Sequence, residues 1–314
     1  MNAQIEARDL RKTFGDRVAL DGVSLTVAAG EVVGLLGPNG AGKTTTASIL
    51  SGVIPADSGE VRIGGAIMNG NSPQARRNLG LVPQSIALYP TLTARENLLF
   101  FGRMQGLRRD AAMKRTEELL EEVGLSDRAE DPIGPFSGGM KRRLNLACGM
   151  IHGPCAVLLD EPTVGVDPQS RGRIFTIVEA ARARGVAILY STHYMEEVER
   201  LADRVILIDR GRVVAQGTSA QLIARAGAEP RIEVTTAKPL PPEWAHGVTG
   251  VRELAREGDE GARVSLALPH VDQAPEILRM AERDGGQVVE FYLHRPNLQD
   301  AFLALTGRAL RDNP

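Results

Sequence analysis

The chain has almost no cysteine, no long hydrophobic run and no excess of charge, and each lack narrows what it can be. Only Cys148 and Cys155 occur among its 314 residues. Their spacing fits neither a zinc ribbon nor a redox pair, so they read as small core hydrophobes in a reducing compartment. No stretch approaches the about 18 to 20 apolar residues that a membrane-spanning helix requires. The opening MNAQIEARDLRKTF alternates polar and apolar residues and lacks the apolar core of a signal peptide. If the protein serves a membrane process, another chain supplies the membrane part. A formal net charge of −2 argues against a general nucleic-acid binder. Repeats and low-complexity tracts are missing too. What remains is an ordinary globular composition and a length that fits roughly two domains.

One stretch organises the rest. Gly37–Thr45, GPNGAGKTT, follows the apolar run Val32–Leu36 and leads into Lys43–Leu50, which closes at Gly52. A strand, a glycine-rich loop and a helix start in that order make a phosphate cradle. Side chains in place of Gly37, Gly40 and Gly42 would keep the loop's backbone N–H groups, those of Asn39 and Ala41 beyond Pro38 among them, from curling round phosphate oxygens. The helix beginning at Gly42 turns unpaired N–H groups and a positive dipole end to the same anion. Gly37, Gly42, Lys43 and Thr44 have the spacing G-x-x-x-x-G-K-[ST], in which Lys43 reaches the β- and γ-phosphates and the Thr44 hydroxyl ligates Mg²⁺. Thr45 completes the loop.

Before the loop, residues 3–8 and 17–27 alternate as half-buried strands about the turn Gly15-Asp16. Phe14, beside that turn, suits stacking on a nucleotide base, although such a residue by itself is more often a core or edge residue. Gly59–Ile63 with Gly64-Gly65 reads as a further hairpin, so an antiparallel layer flanks the core strand. After the strand Leu79–Gln84, the pattern becomes helical. A capping box, Thr93 to Glu96, starts one helix at Ala94. A second, about Asp110–Val123, carries Met113, Leu119, Leu120 and Val123 on one face, and Ser137 caps a third through Ile151. Residues of about 85–150 therefore read as an inserted helical subdomain. The strands Ala156–Asp160, Val186–Tyr190 and Arg204–Asp209 then alternate with helices, one of them opened by Asp167-Pro168, as in a mostly parallel sheet. Residues 219–230 read as a linker. Beyond it, strands at 231–236, 248–257, 263–268 and 287–294 and helices at 271–283 and 297–305 make a small α+β unit over 231–314. Its histidines, His246, His270 and His294, are scattered and read as structural.

Asp160 and Glu161 end an apolar strand. In that setting Asp160 holds Mg²⁺, and Glu161, fixed by its neighbour and the metal, accepts a proton from a water attacking the γ-phosphate. Two acids at a strand end can also make a solvated turn. His193, at the end of the following strand, is placed to hydrogen-bond the γ-phosphate.

Taken together, these residues resemble the nucleotide-binding subunit of an ATP-binding cassette (ABC) transporter over about residues 3–218. Phe14 stands at the A-loop, GPNGAGKTT at Walker A and Gln84 at the Q-loop, where it joins Thr44 and Asp160 near Mg²⁺. Ser137, Gly138 and Gly139 form the signature, AVLLDE is Walker B, the segment ending in Asp167 is the D-loop and His193 is the switch histidine. The resemblance implies an α/β P-loop NTPase fold with a mixed sheet core, an antiparallel β subdomain and an inserted helical subdomain. It also implies a homodimer that sandwiches two ATP, each signature contacting the γ-phosphate on the partner's P-loop. Two departures stand out: FSGGM replaces the common LSGGQ, putting Met140 at the glutamine position, and Phe14 replaces tyrosine. SGGMKRRL, STHYMEEVERLADRV and PNLQDAFLALTGRALRD look like the export branch, which includes antibiotic-resistance and nodulation-type exporters. In that branch the permease is a separate chain, docked near Ile86–Phe101. The subunit would then work in the cytoplasm, peripheral to the inner face of the membrane. The alternative, a soluble cassette protein acting on ribosomes or DNA, calls for paired cassettes or a long coiled coil, and this chain has neither.

Overall fold

The computed structural model describes residues 3–69, 72–245, 247–257 and 262–307. The chain forms two compact units, divided in sequence between Thr218 and Ser219. In chain order the first runs β1 (Ala3–Phe14), β2 (Arg17–Ala28), β3 (Val32–Leu36), α1 (Lys43–Leu50), β4 (Ser58–Ile63), β5 (Ala66–Ile67) and α2 (Pro73–Arg77). It continues β6 (Leu79–Val82), α3 (Ala94–Met104), α4 (Arg109–Glu122), α5 (Gly138–Met150), β7 (Ala156–Asp160) and α6 (Pro168–Ala183). It ends β8 (Ala187–Thr192), α7 (Met195–Leu201), β9 (Arg204–Asp209) and β10 (Arg212–Gly217).

Among the described residues the strands of this unit form two sheets. One is antiparallel, in the order β2-β1-β4-β5. The other has the order β10-β9-β3-β8-β7-β6, parallel except where β10 pairs antiparallel with β9. Every residue of β3, β7 and β8 is buried, as expected of parallel strands covered on both faces. β1 runs on to Phe14, beyond the expected 3–8, because register shifts about Asp9 (φ +48°) let it bend without leaving β2. β6 stops at Val82, since Pro83 has no N–H for the ladder.

The inserted helices form as their signals require. Thr93 Oγ1 accepts from Glu96 N at 3.1 Å and Glu96 Oε2 accepts from Thr93 N at 2.8 Å, closing the capping box of α3. On α4 the buried face is Ala112, Thr116, Leu119 and Leu120, with Val123 just beyond, whereas Met113 is 49% exposed. The small Ala112 takes the position expected for the methionine, one residue round the helix. Cys148 lies in this core and Cys155 at the edge of the neighbouring one. Both thiols are free, and burial pushes both above the usual thiol range. No helix among the described residues is long and apolar enough to cross a membrane.

The second unit runs α8 (Ser219–Ala226), β11 (Arg231–Thr236), β12 (Arg252–Glu257), β13 (Arg263–Ala267), α9 (Ala274–Arg283), β14 (Val288–His294) and α10 (Leu298–Thr306). Its sheet is antiparallel, in the order β12-β13-β11-β14, over a core that includes Ile232, Val234, Trp244, Leu266 and Ile277. Within residues 219–230, read as a linker, α8 packs against α10. The strand expected over 248–257 begins only at Arg252, because Val251 N donates to Val248 O in a turn. The helix expected from Val271 begins with a 3₁₀ turn and becomes α-helical at Ala274. His294 pairs with Asp300 at 2.8 Å, and His246 lies outside the described residues, as does the chain after Gly307.

Two glycines set how close α5 lies to β6. A Cβ on Gly80 would stand 2.2 Å from Gly149 O, and one on Gly149 would stand 2.6 Å from a Val82 methyl. Gly80→Val should therefore cost about 1–3 kcal/mol or more in urea unfolding. Gly172→Ala, inside α6 with open space about it, should instead stabilise by about 0.5–1 kcal/mol.

Candidate functional site

Adjacent parallel strands end side by side. Leu36 pairs with Thr192, Asp160 with Ser191, and Val82 with Leu159. The segments leaving β3, β8, β7 and β6 thus carry Gly37, His193, Glu161 and Gln84 to one edge of the sheet, where ligands of open α/β sheets bind.

The Glu161 carboxylate is the meeting point. Its Oε1 lies 3.3 Å from Lys43 Nζ and 3.3 Å from His193 Nδ1, and its Oε2 accepts from Gln84 Nε2 at 3.0 Å. The Lys43 and Glu161 side chains are 4% and 6% exposed. Lys43 Nζ also donates to Gly37 O at 2.8 Å and Pro38 O at 3.1 Å. Glu161 has φ +46°, and its N–H donates to Ser191 O at 3.0 Å. A non-glycine residue held in the left-handed region costs on the order of 1–3 kcal/mol and is kept where its surroundings force it, commonly at functional sites.

The loop before α1 can approach an anion because it has almost no side chains. A Cβ on Gly37 would stand 2.2 Å from Ile208 O. Gly42, at φ +110°, caps α1 without any side-chain acceptor, leaving the first N–H groups of the helix to other partners. A cavity of about 560 Å³ borders this loop at Asn39, Gly40, Gly42, Lys43, Thr44 and Thr45, and Phe14, Gln84 and Glu161 also line it. That volume suits a nucleotide-sized ligand, given the about 300–1,000 Å³ of ordinary ligand sites. Ala41 is buried beside the loop, and Pro38 is half-buried. Phe14 is 51% exposed at the rim, with Lys12 Nζ 5.5 Å from its ring centroid.

Thr44, Gln84 and Asp160 line a second cavity of about 340 Å³. Asp160, almost fully buried, accepts a hydrogen bond from the Ser191 hydroxyl. A hydroxyl, an amide and a carboxylate are the oxygen donors a hard divalent cation takes, so these residues fit Mg²⁺.

The glycine pair at the start of α5 stands elsewhere. Ser137 caps α5, its Oγ accepting from Met140 N at 3.2 Å, and Ser137 and Gly138 are exposed. Gly138 and Gly139 face the loop into α6: a Cβ would lie 3.7 Å from Gly165 O at the first and 2.2 Å from Ser170 Oγ at the second. Asp167 caps α6 by accepting from Ser170 N at 2.9 Å, and that hydrogen bond holds its carboxyl below the usual range. The structure therefore gathers Phe14, the phosphate loop, Gln84, Asp160, Glu161 and His193 into one site. Ser137, Gly138, Gly139 and Asp167 form a separate patch. Met140 packs half-buried against the core of the helical insert, so its thioether serves packing.

Two residues escaped the sequence reading. Arg17 lines the larger cavity, its Nη2 3.2 Å from where a Gly40 Cβ would stand; a basic residue three after Phe14 was the signal. Arg142, on the buried face of α5, donates to Gln84 O at 2.6 Å, Pro83 O at 3.3 Å and Val164 O at 3.4 Å. It ties the loops after β6 and β7 to α5, and burial pushes its guanidinium down. Its signal was an arginine one turn after Gly138.

Known proteins share both units. Residues 20–164 match the family model described as ABC transporter, and residues 217–306 match the C-terminal domain of ATP-binding proteins like DrrA1-3. The linearmycin resistance ATP-binding protein LnrL of Bacillus subtilis (strain 168) is 41% identical, over 98% of this chain and 100% of its own length. The Nod factor export ATP-binding protein I of Burkholderia lata is 40% identical over 99% of both chains. The daunorubicin resistance ATP-binding protein DrrA2 of Streptomyces coeruleorubidus is 40% identical over 96% of this chain and 95% of its own. Among solved structures, an ATP-binding subunit of an ABC transporter aligns with a TM-score of 0.66 and 31% identity, over 71% of this chain and 93% of that one. A dimeric ATP-binding cassette in a post-hydrolysis state with ADP and Pi aligns at 0.62 and 25%, over 68% and 98%. On this evidence the chain belongs to the ABC transporter family, as an ATPase cassette followed by a DrrA1-3-like C-terminal domain.

Proposed function

We propose that this protein is the ATP-hydrolysing subunit of an exporter that moves a drug-, antibiotic- or lipid-like small molecule through a separate permease. The observation that carries the hydrolytic part is the Glu161 carboxylate, met at once by Lys43, Gln84 and His193. The export part draws on full-length relatives named for linearmycin and daunorubicin resistance and for Nod factor export.

ATP is bound with its base on the Phe14 ring and its phosphates along Gly37–Thr45. The Lys43 ammonium exchanges Glu161 for the β- and γ-phosphates. Thr44 and Asp160, with Gln84, would hold Mg²⁺, which supplies charge neutralisation on the phosphate oxygens when bound. Glu161, turned to the loop by its left-handed backbone, takes the proton of the attacking water. The bond from the γ-phosphorus to the bridging oxygen breaks with its electron pair going to ADP. His193, held against Glu161, hydrogen-bonds the γ-phosphoryl group. The exposed Ser137 and Gly138 and the cap at Asp167 are left for the ATP on a second copy, making a homodimer with two nucleotides between its chains. ATP then favours the closed pair because only that state offers it both surfaces.

The permease is met by the helical insert. Tyr89, 47% exposed, and Phe100, 36% exposed, stack edge to face at 4.8 Å, and Asn97 pins the Tyr89 backbone with hydrogen bonds of 2.9 and 3.1 Å. A groove of about 250 Å³ beside them is lined by Leu81, Ala87, Phe101, Gln105 and His152. Exposed aromatics next to a groove suit a short helix from the membrane chain.

Glu161→Gln should bind ATP at least as tightly as the wild type while steady-state turnover falls by about 10²–10⁴-fold, and size-exclusion chromatography with ATP should show a persistent dimer. Unchanged turnover would remove Glu161 as the base. Ser137→Arg should bind ATP as a monomer and fail to dimerise; a normal ATP-dependent dimer would rule out the signature contact across the pair. Phe100→Asp should retain the ATPase of the isolated chain yet lose co-purification with the permease from detergent-solubilised membranes.

A further inference from the structure

Glu197 is an acid on the wrong face of its helix. It lies on α7 with Val198 and Leu201, and its side chain is 1% exposed. A helix packed only for stability would carry an apolar residue there, because burying a carboxylate requires that its oxygens be satisfied in full. Here they are. Oε1 accepts from Thr163 Oγ1 at 2.6 Å, with Arg171 Nε 3.6 Å away. Oε2 accepts from Tyr190 OH and Thr192 Oγ1, each at 3.0 Å. Burial, then the Glu197 charge beside it, holds the Tyr190 phenol well above the usual tyrosine range, so it is a neutral donor.

The donors come from two different segments. Thr163 is two residues past Glu161, on the loop that leads to Asp167. Thr192 immediately precedes His193, and its Oγ1 also accepts from Tyr194 N at 3.0 Å, fixing the turn that carries the histidine. Arg171 extends the same unit, with its guanidinium 5.4 Å from the Tyr194 ring, which packs tilted against His193 at 4.1 Å between centroids. One buried carboxylate therefore grips both segments whose side chains meet at the 3.3 Å contact between Glu161 and His193.

We propose that Glu197 is a positioning residue for hydrolysis, clamping the loop after Glu161 to the end of β8 so that Glu161 and His193 keep their mutual geometry at the γ-phosphate. It rests on the reading of Glu161 and His193 given above. Glu197 touches no part of the nucleotide site itself. Its effect is on the reacting geometry and leaves the phosphate cradle of Lys43 and the loop unchanged.

The test uses the full chain. Glu197→Gln keeps the volume but faces the hydroxyl donors with an amide N–H₂; Thr163→Val removes one donor while leaving the carboxylate, and Thr192→Val removes a donor together with the acceptor of Tyr194 N. For each variant the ATPase kcat and KM, the Kd for a fluorescent ATP analogue and the Tm are measured, with Glu161→Gln in parallel. The clamp predicts that kcat falls tenfold or more in Glu197→Gln and at least threefold in each threonine variant, while KM and Kd stay within twofold. A residue of merely structural importance would lower Tm and leave kcat per folded molecule at the wild-type value, which overturns the proposal. If Glu197→Gln does not fold, the two threonine variants decide it: wild-type kcat in both overturns the clamp. Full turnover in Glu161→Gln would instead overturn the underlying site reading, and the clamp with it. Loss of activity in Glu161→Gln beside wild-type kcat in Glu197→Gln would sink the clamp alone.

Discussion

Two opposite charges buried 3.3 Å apart, the Lys43 ammonium and the Glu161 carboxylate, set the terms for everything near them. Neither can be left bare in so dry a place, so each must have partners from fixed backbone and side-chain positions. Lys43 finds two loop carbonyls, and Glu161 finds Gln84 and His193. Those four side chains arise from four adjacent parallel strands, and the register of the sheet brings their ends together. A phosphate anion entering the loop competes for the ammonium with a carboxylate already there.

Two further buried charges extend this arrangement. Arg142 joins the carbonyls of Gln84 and Val164 to the helix that begins at Gly138. Glu197 joins the segments carrying Glu161 and His193 from the opposite side. The insert that carries the exposed Tyr89 and Phe100 ends in that same helix α5, which Arg142 ties to the Gln84 loop. The exposed aromatics and the Glu161 site are thus joined through hydrogen-bonded parts within the first unit. The second unit, with its own antiparallel sheet and apolar core, shares its family with the drug-resistance proteins.

Much of this is legible in the sequence. GPNGAGKTT reads as a phosphate loop because glycine spacing and a following helix carry the chemistry locally, and the parallel strands read from uninterrupted apolar runs. Capping residues at Thr93, Ser137 and Asp167 marked helix starts to within a residue. Pairings distant in sequence could not be read. Gln84 and Glu161 are 77 positions apart, and no periodicity announces that they touch. The left-handed backbone of Glu161 is a property of the folded sheet end and has no local signal in a non-glycine residue. Met113 was misplaced because hydrophobic size was weighed over helix phase, and 248–251 reads as strand from composition while its hydrogen bond makes a turn. Glu197 stands in an acidic stretch, EEVE, and nothing local in the sequence marks its burial.

The central claim is that Lys43 and Glu161 form the floor of the nucleotide site, with phosphate displacing the carboxylate from the ammonium. A crystal structure of the wild-type chain with Mg²⁺ and a non-hydrolysable ATP analogue tests this most directly. The account predicts Lys43 Nζ within hydrogen-bonding distance of β- and γ-phosphoryl oxygens, with Gln84, Glu161 and His193 gathered about the γ-phosphoryl group. An analogue bound away from Gly37–Thr45 while Lys43 remains on Glu161 would contradict it.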